Sequence, residues 1–312
     1  MPQSPKARYR LFLVLAGVLI AASCTHSYHS PNERYVMVAA NVQLPYWKEA
    51  IAGFMDAGHV MGVKVEVDGT DSYDPQAELD DFNKAVASNP SGILVSPAQA
   101  KLFTDAINSA VAKGMPVITI DSDDPDSRRN LFVGTDNERA GAVCGKHLAD
   151  ILHGKGRIVI ITIPGQLNLD ERLQGVKQVL AGYPNIKVED TINDQGRTET
   201  ADDAISKMIA AKKPIDGILC LEASGGPGAA EVLHRLSLAD KIKIVAFDKN
   251  PETLDWIARG VITGTVAQKP YTMSYYGLTF LDDLHHNAVR QFADWRTAPI
   301  SPLPQSVDTG TA

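Results

Sequence analysis

Two aspartates stand where apolar runs stop. The run VITI at 117–120 ends at Asp121, and the run KIVAF at 243–247 ends at Asp248. In an open α/β sheet, ligands bind at the carboxyl ends of the strands, so a carboxylate placed there faces a ligand. An ionised carboxylate accepts hydrogen bonds from hydroxyl groups. Two that face one another could instead divide acid and base work.

Other groupings carry less chemistry. DSDDPD at 121–126 is acidic enough for a calcium loop but lacks the turn glycine and the later glutamate. It reads as a solvated loop balanced by Arg128 and Arg129. GGPG at 225–228 opens a helix without the Lys-Ser/Thr of a phosphate loop. His147 and His153 do not share a helical face, and His285 and His286 are adjacent, so no metal site follows. No nucleophile arrangement appears, and no cofactor is expected.

The elements that position these residues follow a β-α rhythm. Apolar β-branched runs at 35–40, 63–67, 92–96 and 117–120 alternate with helices at 46–61, after Asp74-Pro75, and from Leu102 to a stop at Gly114. A further strand at 131–135 follows the fourth without a helix, and Asn137 then opens one. The chain crosses here from one domain to another. The programme then repeats, with strands at 157–163, 186–192, 216–221, 243–247 and 261–267. GILVSP at Gly92 recurs as GILCLE at Gly217, and VITID recurs as IVAFD, about 125 positions later. Two similar α/β domains result, with Asp121 and Asp248 at equivalent strand ends across a cleft. A helix after Gln268 packs on one of them. The tail at 299–305 is extended, and 307–310 forms a final strand.

At 312 residues, 44% hydrophobic and a net charge of −7, the chain suits a two-domain globular protein and argues against a nucleic-acid partner, which usually demands a basic protein face. Lys6, Arg8 and Arg10 precede an apolar run at 11–22, which is too short to span a bilayer comfortably. Ala21-Ala22-Ser23-Cys24 resembles a bacterial lipobox, with Ala21 where that pattern prefers Leu. Residues 1–23 are therefore expected to be a signal peptide, Cys24 the lipidated anchor, and 24–34 a tether. Cys144 and Cys220 read as buried thiols, with a disulfide between them left open.

LPYW at 44–47, VITID, GTDN at 134–137, DERLQG at 170–175, VAFD and GTVAQ at 264–268 occur in an order and spacing that resemble the ribose-binding group of type I periplasmic solute-binding proteins. The resemblance covers about 35–310. It implies two Rossmann-like lobes with parallel sheets, joined by a three-crossover hinge near Asp136, Gln268 and 302–305. One lobe would hold 35–136 and 269–303, and the other 137–268 and 304–312. By the same resemblance, Tyr46 and Trp47 cover a sugar ring and Asp121, Asp136, Asp248 and Gln268 belong to the ligand site. Arg172 bonds ring or hydroxyl oxygens, and Gln195 falls where a second wall lies. Leu44, Ser122 and Glu222 depart from the family's usual Asn, Arg and Asn, which argues against ribose.

The function implied is a monomeric, extracytoplasmic, lipid-anchored protein that captures a sugar, polyol or amino sugar and delivers it to an ABC permease. The carboxylates around one arginine favour a neutral or amine-bearing ligand, with Glu222 as the discriminating residue. A sensory protein feeding a chemoreceptor or kinase has the same lobes. A carboxylate-based sugar enzyme would need a partner group that the sequence does not supply.

Overall fold

The computed structural model describes residues 28–286 and the backbone of 306–308. The signal segment, Cys24 and the crossover expected at 302–305 lie outside the described residues. Residues 28–33 belong to a short N-terminal unit, in which the Glu33 N–H bonds the Ser30 carbonyl at 3.0 Å.

From Arg34 the chain builds two parallel sheets. The first contains β1 (Arg34–Ala39), β2 (Lys64–Gly69), β3 (Gly92–Val95), β4 (Val117–Ile120) and β5 (Leu131–Gly134). The second contains β6 (Lys155–Thr162), β7 (Asn185–Asn193), β8 (Gly217–Cys220), β9 (Lys243–Phe247) and β10 (Gly264–Val266). Their orders, β5-β4-β3-β1-β2 and β10-β9-β8-β6-β7, are the same order repeated. That is the duplication visible in the sequence, and it places β4 and β9 at equivalent positions. β3, β4 and β8 are buried at every residue, which is why they read as unbroken apolar runs.

Helices cover both faces of each sheet. In the first lobe they are α1 (Pro45–Met61), α2 (Pro75–Ala87) and α3 (Ala100–Ala112). The second lobe carries α4 (Asn137–Ile151), α5 (Leu167–Leu180), α6 (Thr198–Ala210), α7 (Gly225–Arg235) and α8 (Pro251–Ala258). Asp74 caps α2, its Oδ1 accepting from the Gln76 and Ala77 N–H groups at 3.1 and 3.0 Å. On one face of the first sheet, Phe54 of α1 joins Met37, Leu94 and Ile118; on the other, Phe82 and Phe103 pack with Val36 and Ile93. Truncating such a phenylalanine costs about 3–5 kcal/mol.

α9 (Pro270–His285) follows β10 but returns to the first lobe. Leu278 and Leu281 join the Phe54 core, and Gly53 of α1 meets the Tyr271 backbone so closely that no side chain fits between them. The chain thus crosses between lobes after β5 and again after β10.

The tail departs from expectation. The resemblance places 304–312 in the second lobe, yet β11 (Ser306–Asp308) lies parallel to β5, opposite Phe132, Val133 and Gly134 of the first sheet. β5 would otherwise be an edge strand with a free row of backbone groups, which favours such an addition. The strand expected at 261–267 is also shorter. The Val261 and Ile262 N–H groups turn back to the Trp256 carbonyl and close α8.

The acidic loop after β4 is less solvated than expected. Arg129 does pair with Asp123, whereas Asp124 is buried and accepts from the Thr104 hydroxyl at 2.9 Å. Cys144 and Cys220 are both buried and free. No helix among the described residues is long and apolar enough to cross a membrane.

Candidate functional site

Asp121 and Asp248 each follow the last residue of their strand with a positive φ, 60° and 68°. Aspartate tolerates this left-handed conformation better than most residues, and such strain collects at ligand sites. Both side chains are buried, and both line one cleft between the lobes.

The cleft is bridged from both sides. The Tyr46 hydroxyl donates to Asp121 Oδ1 at 2.6 Å, and Asn168 Nδ2 of the second lobe donates to Asp121 Oδ2 at 3.0 Å. Gln268 Nε2 donates to Asp248 Oδ1 at 2.9 Å. The Gln268 Oε1 accepts from the Thr135 hydroxyl at 2.9 Å and from Arg172 Nη2 at 2.8 Å. Thr135 and Gln268 lie in the two crossing segments, so this amide joins the crossings to the site.

Arg172 is almost wholly buried. Its Nε donates to Asn137 Oδ1 and its Nη1 to the Leu221 carbonyl, each at 2.9 Å, and its guanidinium lies 4.3 Å over the Phe247 ring. These contacts on every side hold the charge in place. The backbone beneath it is fixed by reciprocal glycines: Gly141 of α4 faces the Arg172 backbone, and Gly175 of α5 faces the Glu138 backbone. Neither position has room for a side chain, so the two helices touch main chain to main chain.

Burial dominates the electrostatics. It raises the Asp121 carboxyl above its ordinary value, opposed by the Arg172 charge and by the bonds from Tyr46 and Asn168. It pushes Asp248 up to about 7, opposed by Arg172 and Gln268 and assisted by the charges of Asp121 and Glu222. The Tyr46 hydroxyl is raised for the same reason, with Asp121 beside it. Behind the cleft, burial and the adjacent Glu222 raise Asp194. Such carboxyls are hydrogen-bond acceptors whose charge is expensive to leave uncompensated.

Tyr46, Trp47, Asp121, Arg172, Glu222, Asp248 and Gln268 are brought together around a cavity of about 70 Å³. At about 10–15 Å³ per water, it has room for several waters or one small ligand. Tyr46 and Trp47 meet edge to face, 5.4 Å between centroids, and also belong to the first-lobe core.

Three expected residues do not line it. Ser122 is buried under the loop, its N–H turned back to the Ile120 carbonyl at 2.6 Å. Asp136 is exposed and caps α4, accepting from the Arg139 N–H at 3.0 Å. Gln195 is exposed at a turn with φ 58°, while its neighbour Gly196 lines the cleft in its place.

Glu222 lines the cleft, but in a different role. Its carboxylate accepts from the Ser224 N–H at 2.7 Å and from the Gly225 N–H, capping the amino end of α7. The glycine-rich start of α7 therefore cradles the protein's own anion, and Glu222 is not offered as a free partner for an ammonium.

Asn41, Tyr73, Gln166 and Asn168 also line the cavity, beyond the residues that the sequence points to. Asn41 lies just beyond the carboxyl end of β1, where the strand-end rule points. Asn168 lies four residues before Arg172 on α5, a spacing that puts both on one helical face.

Two lobes of matched topology, with a cavity between them whose mostly apolar wall carries buried carboxyls and a guanidinium, define a ligand-binding protein that acts across a cleft. Residues 35–287 match the family described as Periplasmic binding protein domain, and the chain belongs to that family. It is 30% identical over 243 residues to the xylitol-binding protein of Mycolicibacterium smegmatis, covering 74% of this chain and 65% of that one. It therefore spans a little less than two thirds of that relative's length. Among solved structures, the sugar-binding protein of a sugar ABC transporter from Bacillus halodurans is 35% identical with a TM-score of 0.77, covering 90% of this chain and 96% of that one. AraP, an arabinose-binding protein from Geobacillus stearothermophilus, is 33% identical with a TM-score of 0.75 and the same two coverages, 90% and 96%.

Proposed function

We propose that this chain is an extracytoplasmic solute-binding protein that captures a neutral five-carbon sugar or polyol and delivers it to an ABC import permease. The observation that carries the reading is the pair of buried aspartates at equivalent strand ends, Asp121 and Asp248, facing one small cavity across which Asn168 of the second lobe bonds Asp121 of the first. A polyol presents hydroxyl donors to such acceptors, Arg172 and Gln268 bond its oxygens, and Tyr46 and Trp47 cover its C–H faces. Relatives named for xylitol and arabinose support a ligand of this size. Four or five hydrogen bonds to charged groups suffice for roughly micromolar affinity after the costs of association.

The ligand is neutral. A carboxylate or phosphate would enter beside two buried carboxyls with one guanidinium to offset them, and like charges repel strongly in a poorly hydrated cleft. An amino group gains little, because the Glu222 carboxylate is engaged at α7. The mature chain is held at the membrane through a lipid on Cys24.

Calorimetric titration with xylitol, D-xylose, D-arabinose and D-ribose, alongside the matching sugar acids and phosphates, tests this. Binding of one or more neutral members is expected. Tighter binding of an acid or phosphate than of its neutral form would overturn the reading.

A further inference from the structure

We infer that Asp194 is a positioning residue that keeps a proton and donates it to Glu222, pinning a strained turn against the start of α7 behind the ligand cleft. Its effect on affinity rests on the binding function proposed above; the proton itself does not.

Asp194 is wholly buried in the turn between β7 and α6 and does not line the cavity. Its Oδ1 accepts from the Gly196 N–H at 3.2 Å, and the Gly196 carbonyl accepts from the Ser224 hydroxyl at 3.0 Å. Those two bonds bring the turn up to residues 222–224, where a side-chain hydrogen bond joins Asp194 to Glu222. Two carboxylates contain no donor, and Asp194 Oδ2 would then be a buried oxygen without a partner. Buried polar atoms are almost always paired, so the missing component is one proton between the two groups.

The other bonds decide which residue carries it. Both Glu222 oxygens are engaged as acceptors, one with the Ser224 N–H at 2.7 Å and one with the Gly225 N–H. Asp194 has a single N–H, on Oδ1, which leaves Oδ2 to hold the hydrogen. Burial and the Glu222 charge push Asp194 up to about 10, so the proton is kept at neutral pH. Cys220 faces both carboxyls and Asp248 faces Glu222, and neither brings positive charge to the pair. Arg197, on the same turn, is exposed and points to Glu199.

What this bond holds is under strain. Gln195 and Gly196 both have positive φ, 58° and 66°, and a non-glycine residue persists there only where its surroundings fix it. Gly196 and Glu222 both stand on the cavity wall. Ionised, Asp194 would face a second carboxylate in a poorly hydrated place, and the turn would part from α7. The acid thus sets two wall positions without touching the ligand.

The test compares wild type, Asp194→Asn and Asp194→Ala. Asparagine keeps the shape, with an N–H for Glu222 and an oxygen for the Gly196 N–H, but has nothing to titrate. Infrared spectra of the unliganded proteins at pH 8.5 should show a protonated-carboxyl carbonyl band in wild type that both variants lack. The unliganded melting temperature should fall more steeply from pH 5 to pH 10 in wild type than in Asp194→Asn. The folded wild type keeps a proton there that the unfolded chain has lost above about pH 4. The variants are then titrated with whichever of xylitol, D-xylose, D-arabinose and D-ribose binds wild type most tightly. At pH 7 Asp194→Asn should match wild type within about twofold, and Asp194→Ala should lose about tenfold. At pH 10 wild type should weaken relative to Asp194→Asn. Identical infrared bands in wild type and Asp194→Asn would overturn the inference, as would an Asp194→Asn as weak as Asp194→Ala. A melting temperature that sodium or calcium ions raise in wild type alone would also overturn it, since a cation would then bridge the pair. If none of the four sugars binds wild type, the proposed function falls, while the infrared and melting results still decide the proton.

Discussion

Gly141 of α4 and Arg172 of α5 meet backbone to backbone, and a Cβ on Gly141 would overlap the Arg172 carbonyl. The clash would be with main chain, which cannot rotate away. Gly141→Ala should therefore destabilise the second lobe by about 1–3 kcal/mol or more, as overpacking does. It should also weaken ligand binding, because the guanidinium moves with its helix. Urea unfolding and calorimetry on the same preparation measure both, and an unchanged midpoint would contradict the packing argument.

Asp248 makes stability depend on pH. Its carboxyl rises from 3.8 to about 7, chiefly through burial. The folded chain keeps a proton across that interval that the unfolded chain has lost. Stability from this group is thus greatest below about pH 4 and falls as the pH rises to about 7. Asp248→Asn removes the titrating group yet leaves an oxygen for Gln268 to donate to. The fall in melting temperature between pH 5 and pH 8 should be shallower in the variant, with the other carboxyls that burial raises, Asp194 among them, supplying the slope that remains. Parallel curves for the two proteins would refute the assignment.

Lys249 and Glu49 form an ion pair across the lobes at 2.8 Å, and both side chains are more than a third open to solvent or close to it. Pairs of this kind contribute about 0–1 kcal/mol. Lys249→Ala should weaken ligand affinity by less than about fivefold, and the difference should vanish in 1 M salt. A larger effect that survives salt would mean the pair does more than screen-limited electrostatics allows.

Cys24 is expected to carry the lipid that holds the mature chain at the membrane. Each buried methylene of an acyl chain contributes about 0.8 kcal/mol, so several chains anchor firmly. Cys24→Ser should move the protein from the membrane fraction to the soluble fraction on cell fractionation. An unchanged distribution would sink the idea.

The strands and both aspartates were legible because an apolar β-branched run that stops at a carboxylate is hard to read otherwise. The duplication was legible because β3 and β8, and β4 and β9, kept their patterns. Asn168 was not, since a polar residue in the first turn of a helix looks solvated until a facing lobe buries it. In the sequence Glu222 reads as the residue that discriminates an amine-bearing ligand, because nothing local in GGPG reveals that the N–H groups of α7 turn back to it. Gln195 and Gly196 exchange places at a turn, a one-residue difference that spacing does not resolve. The sheet that Ser306–Asp308 joins is not legible in the sequence, because a three-residue strand fits either edge.

The return of α9 to the first lobe has a consequence for how the chain is made. Strands β6 to β10 and their helices occupy one uninterrupted stretch, whereas the Phe54 core lacks Leu278 and Leu281 until α9 has emerged from the ribosome. Contacts so distant in sequence form late, because the loop that separates them must first be closed. The second lobe can therefore condense while the first, though synthesised earlier, still exposes apolar surface along α1. During synthesis it is the older half of the molecule that a chaperone would have to protect.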